Sequence, residues 1–115
     1  MHELSIAQSI LDIITEEMRR HHVERIVSVR LKIGEMSAVV PESLTFCWSI
    51  VTKDTPAEGS RLDIVSLPIE ARCLACDSVF FVQNYVYVCP KCGSGDLAIL
   101  SGKELQIQDF ETPDF

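Results

Sequence analysis

With 115 residues, 47% of them hydrophobic, the chain is long enough for one modest core and too short for two full domains. A formal net charge of −7, to which four zinc-bound thiolates would add about −2, repels polyanions and argues against nucleic acid as a partner. No apolar run approaches the roughly 18 residues that span a bilayer, and Glu3 stands where a signal peptide carries basic residues. The expected protein is unexported and cytoplasmic, with no membrane partner.

Met1-His2-Glu3 opens the chain with an unusual set of donors. A free terminal amine, the deprotonated His2 amide and His2 Nδ1 can close two chelate rings on one cation, a planar three-nitrogen pincer of the kind Ni(II) and Cu(II) favour. Its fourth position is left for Glu3 or an external donor. Any exposed histidine near a terminus chelates weakly, so these residues alone do not single out nickel.

Leu4, Ile6, Ala7, Ile10, Leu11, Ile13, Ile14 and Met18 recur at three- and four-residue spacing and predict an amphipathic helix. Glu3 at its start and Arg19, Arg20, His21 and His22 at its end suit the helix dipole, which is a sufficient role for both histidines. Val27, Val29, Leu31 and Ile33 alternate with polar residues as a one-face-buried strand ended by Gly34. Pro41 begins a second helix, with Leu44, Cys47, Trp48 and Val51 on one stripe and Phe46 and Ile50 widening it, so this helix is expected to be mostly buried. Cys47 reads as a small core residue. Beyond the loop at Asp54 to Gly59, Leu62 and Ile64 lead a second strand through Leu67.

Cys73-Leu74-Ala75-Cys76 and Cys89-Pro90-Lys91-Cys92 then form two turns that each aim a pair of sulfurs at one point. Four thiolates suit structural zinc and leave no open coordination position for catalysis. Two disulfides, or an iron centre in an electron carrier, are the rival readings. Val79–Val82 and Tyr85–Val88, turning at Gln83-Asn84, are expected to pair as a hairpin that returns the second turn to the first.

Two strands make a marginal sheet, so a third is required, and Leu105 and Ile107, alternating with Glu104, Gln106 and Gln108, supply it before an acidic frayed tail from Asp109 to Phe115. The expected fold is α+β. Two helices pack on a three-stranded sheet formed by residues 1–68 and 103–115, and a zinc-ribbon-like β lobe at 69–102 is inserted through two neighbouring linkers. No phosphate-cradling glycine loop and no nucleophile with a base at motif spacing is present, so no enzyme activity is expected.

Met1-His2-Glu3-Leu4-Ser5 opening a helix, Gly34-Glu35 ending a strand, Pro41-Glu42 opening a helix with Phe46, and Cys73-x-x-Cys76 with Cys89-Pro90-x-Cys92-Gly93 resemble the hydrogenase nickel-incorporation factors of the HypA/HybF family. The resemblance implies a nickel metallochaperone that works with a maturation GTPase to load nickel into the precursor of the NiFe hydrogenase large subunit. Some members also serve urease maturation, and a homodimer stays open. Carried onto this sequence, it assigns nickel as cargo to Met1, His2 and Glu3, and structural zinc to Cys73, Cys76, Cys89 and Cys92. The alternative is a zinc-ribbon interaction module without specific nickel binding.

Overall fold

A computed structural model describes residues 2–113. The first helix, α1, spans Glu3–Arg20 and buries Ile6, Ala7, Ile10, Leu11, Ile14 and Met18, while Leu4 and Ile13 of the expected stripe lie on its exposed side. The strand β1 follows at Ser28–Gly34, with Val29, Leu31 and Ile33 buried as the alternation predicts. A single 3-10 turn at Glu35–Ser37 leads to α2, Pro41–Val51, and then to β2, Arg61–Leu67.

The second helix departs from expectation. Only Leu44 and Trp48 are buried, and Phe46 and Ile50 are 66% and 50% exposed. Helix geometry accounts for this. Leu44 and Trp48 are one turn apart on the face toward α1, and Phe46, two residues from each, is rotated to the far side. The Trp48 indole N–H donates to Ser60 Oγ at 2.9 Å, which satisfies the one polar atom that burial of this ring would otherwise strand.

Two small sheets complete the fold. The remaining strands are β3 at Glu70–Cys73, β4 at Val79–Phe81, β5 at Leu97–Ser101 and β6 at Leu105–Glu111. The first sheet has the order β2-β1-β6, so the third strand does come from beyond the cysteine segment. Arg61 N–H donates to Val27 O and Val27 N–H to Glu111 O, both at 2.9 Å. The start of β2 therefore lies beside the start of β1, a parallel pair with α2 in the connection, whereas β6 ends there and runs antiparallel. The tail is also corrected. Asp109–Glu111 continue β6 because the whole length of β1 needs a partner, and their acidic side chains meet Arg30, with N···O distances of 3.5 and 3.8 Å to Asp109 and Glu111. The last two residues of the expected tail lie outside the described residues.

The second sheet, β4-β3-β5, overturns the expected hairpin. Val79–Phe81 pair antiparallel with Glu70–Arg72, and Val82 N–H donates to Ile69 O at 2.8 Å. Their partner is thus the strand before the first cysteine pair, not Tyr85–Val88, which form no strand. The turn itself is real, displaced by one residue. Asn84 and Tyr85 both have positive φ (53° and 57°), and Val86 N–H closes onto Gln83 O at 3.0 Å. The apolar run Leu97–Leu100, unassigned from sequence, is the third strand of this sheet, pairing Ala71 with Ile99 and Cys73 with Leu97.

By internal contacts the chain divides into one unit of residues 1–32, 39–65 and 106–115, and another of Ile33–Ala38 and Ser66–Leu105. The chain passes between them within β1, β2 and β6 rather than only through loops. In the second unit, Ile69, Ala71 and Val82 form a small buried cluster covered by Met36, Phe80, Tyr87, Leu97 and Ile99. Its edge is fastened where two glycine backbones meet. Gly34 N–H donates to Glu104 O at 2.7 Å and Met36 N–H to Gly102 O at 2.8 Å, and a Cβ on Gly34 would fall on the Gly102 carbonyl. Gly102, at φ +114°, has its own missing Cβ filled by Ile69. Gly34→Ala is therefore expected to lower stability by about 3 kcal/mol or more, read as a lower urea midpoint, because backbone on both sides must move.

Candidate metal centres

The two cysteine turns are built alike. Cys73 N–H donates to Ser78 O and Asp77 N–H to Cys73 O, both at 2.8 Å. In the second turn Cys89 N–H donates to Ser94 O at 2.8 Å and Gly93 N–H to Cys89 O at 2.9 Å. The residue after each second cysteine takes a left-handed conformation, Asp77 at φ 67° and Gly93 at φ 76°. Glycine adopts this freely. Aspartate tolerates it less well, and Asp77 is held there by Arg72 Nη1, 2.7 Å from Oδ1. Apart from Gly93, these supporting residues were missed in the sequence, although a signal was present: Cys-x-x-Cys followed by Asp-Ser or Gly-Ser occurs twice.

All four Sγ atoms lie within 4.8 Å of one another, with Cys73 and Cys92 sulfurs 3.5 Å apart and Cys76 and Cys89 sulfurs 3.6 Å apart. Zinc–sulfur bonds of about 2.3 Å in a tetrahedron give sulfur separations of about 3.8 Å, so the donor set and its spacing fit zinc. Cys73 and Cys89 are buried and Cys76 and Cys92 exposed. The Ser78 hydroxyl, 3.2 Å from Cys76 Sγ, and the Ser78 N–H draw the Cys76 thiol down to about 6. The backbone N–H groups of Cys92 and Lys91 lower Cys89. Cys92, although the Ser94 N–H draws it down, is pushed up to about 12 by the neighbouring Cys73 thiol and by desolvation. Crowded sulfurs resist full ionisation by themselves, and a divalent cation removes the conflict. Bound zinc would supply structural cross-linking, with all four positions taken by protein.

At the other end of the sequence, His2 is exposed and serves as the N-cap of α1, its carbonyl accepting Ile6 N–H at 3.2 Å. Its imidazole is not used in this bond. Glu3, the first helical residue, turns its carboxylate toward the start of α2, where Val40 N–H donates to Oε2 at 3.3 Å. Glu3's own N–H, then that of Val40, hold this carboxyl below its ordinary value. Met1 lies outside the described residues. Of the expected ligands, the four cysteines are thus gathered at one point, and His2 and Glu3 are placed side by side with different engagements.

An apolar recess of about 310 Å³ is lined by Phe80, Phe81, Gln83, Val86, Val88 and Pro90, and it presents no nucleophile or acid–base pair. No helix among the described residues is long and apolar enough to cross a membrane. A small α+β chain that gathers four cysteines into one cage belongs to the class of metal-binding proteins.

Comparison with known proteins gives the family. Residues 1–112 match the family described as hydrogenase/urease nickel incorporation, metallochaperone, hypA, and the chain belongs to this HypA family. Hydrogenase maturation factor HypA from Acidithiobacillus ferrooxidans is 43% identical over 111 residues, covering 96% of this chain and 98% of that one. The Alkalilimnicola ehrlichii factor of the same name is 41% identical with the same coverage. The solution structure of the Ni metallochaperone HypA from Helicobacter pylori superposes with a TM-score of 0.68 at 27% identity, over 97% of each chain.

Proposed function

We propose that this protein binds Ni(II) through the Met1 amine and His2, with Glu3 or an external donor at the fourth position, and delivers it, with a partner GTPase, to the large-subunit precursor of NiFe hydrogenase, and that urease maturation factors are further candidate partners. The observation that carries the reading is the family match that starts at residue 1 and so takes in Met1-His2-Glu3. In support, His2 is exposed and its imidazole makes no capping hydrogen bond among the described residues. Nickel binding resides in the α+β lobe, residues 1–68 with 103–115, and zinc is retained by Cys73, Cys76, Cys89 and Cys92 in the lobe inserted at 69–102. A pincer with an incomplete coordination sphere holds its ion yet releases it by ligand exchange, which is what transfer to a client requires. The reaction is ligand replacement in the cytoplasm, with no covalent bond made or broken.

Extending the chain by a few residues before Met1 tests this directly, since it removes the free amine while leaving every side chain in place. Nickel uptake by calorimetric titration is expected to weaken by about 10-fold or more, with zinc content unchanged. Equal uptake by native and extended proteins would leave a zinc-ribbon interaction module as the better reading.

A further inference from the structure

We infer that the Glu3 carboxylate is a positioning group that fastens the turn carrying His2, and is not a donor to nickel. The inference rests on the terminal-nickel reading above and assigns Glu3 within it. Glu3 begins α1 and Val40 immediately precedes α2, so one side chain bridges the starts of two helices that are 37 residues apart in sequence. Neither helix has a side-chain bond from its own capping residue, His2 or Val40. Both starts carry backbone N–H groups without intrahelical acceptors and the positive end of a helix dipole, and a carboxylate placed between them answers both.

A nickel bond would draw that oxygen away and strip the Val40 N–H of its acceptor. Nothing in the coordination requires it. The Met1 amine, the His2 amide and His2 Nδ1 fill three places of a square plane from two residues, and a small external donor can take the fourth. The ion then keeps one readily exchanged position, the place where an incoming client ligand attaches.

Amide NMR on the native-terminus protein separates the alternatives, with nickel chloride as the titrant and hydrogen exchange at Val40 as the readout. In metal-free protein, Glu3→Ala is expected to accelerate Val40 exchange by about 5- to 10-fold, and Glu3→Gln, which keeps a carbonyl acceptor, by less. Nickel loading of the parent should abolish the His2 amide signal, whose proton the ion displaces, and shift that of Ile6, while Val40 exchange stays within about 2-fold of its metal-free rate. Acceleration of Val40 by nickel to the Glu3→Ala level would show the carboxylate moving to the ion and overturn the inference. Unaltered Val40 exchange in metal-free Glu3→Ala would overturn the fastening role. Persistence of the His2 amide signal, unmoved by nickel, is a different failure. It would sink the terminal-nickel reading and the donor half of this inference with it, while the metal-free comparison still decides the fastening half.

Discussion

Replacing Cys73 by alanine, or withdrawing the metal with a strong chelator, unfolds the unit of Ile33–Ala38 and Ser66–Leu105 and leaves α1 helical. The reason is the disparity between the metal and the core it supports. Among the described residues, Ile69, Ala71 and Val82 form a small buried cluster there, and burial of one such side chain contributes at most about 1.5–3 kcal/mol. Zinc held by four thiolates contributes about 10–16 kcal/mol of apparent binding free energy, all of it available only to the folded arrangement. Removal of one sulfur also leaves three crowded thiols around a buried pair of positions. Amide NMR should show signals from the β3, β4 and β5 residues collapsing together, while those of Ile6 to Met18, packed in a separate core, persist. Zinc content by mass spectrometry should fall from about one ion per chain to none. Acid should act in the same direction, because protons compete with zinc for the sulfurs. Retention of dispersed β3–β5 signals without metal would contradict this account.

The second large effect concerns cargo. His2→Ala is expected to weaken nickel binding by about 100-fold or more, since it removes one nitrogen of the chelate and breaks the larger ring. The fold should not notice. The bond that His2 makes to α1 comes from its carbonyl, which alanine retains, and its side chain is exposed. Zinc content and the unfolding midpoint are therefore expected to match the parent within error, so a drop in nickel affinity cannot be ascribed to unfolding. Titration calorimetry of the two proteins side by side is the measurement. Affinity in the parent should also fall as pH drops, because protons compete with the ion for its nitrogen donors. An unchanged nickel isotherm for His2→Ala would refute the assignment of the ion to the terminus.

Much of this architecture was legible because strong periodicity coincides with burial. The α1 stripe and the alternation of β1 each report a face that meets a core, and the need for a third strand pointed correctly to β6. The reading failed where hydrophobicity and burial part company. Phe46 and Ile50 are apolar yet face outward, and their one-turn spacing, opposite Leu44 and Trp48, already marked a second stripe. Val86 and Val88 look like a strand by composition, but they are 58% and 45% exposed and unpaired because β3 had already taken the place beside β4. Local sequence cannot announce that competition, since pairing depends on what the distant Glu70–Cys73 segment does. The cage itself was readable from cysteine spacing alone. The engagement of Glu3 at Val40 was not, because it joins residues that only tertiary structure brings together.

The repeated Cys-x-x-Cys-x-Ser pattern, at Cys73–Ser78 and Cys89–Ser94, simplifies how such a cage is encoded. A single loop conformation, specified twice, furnishes all of the ligands, so the polypeptide between the copies is freed from shaping the coordination sphere. Closing a longer connection is inexpensive, about 0.6 kcal/mol for each doubling of length. Insertions near Asn84-Tyr85 should consequently be absorbed without dislodging the ion, which makes that bend a natural place for lineages to vary or for an engineer to graft a new segment.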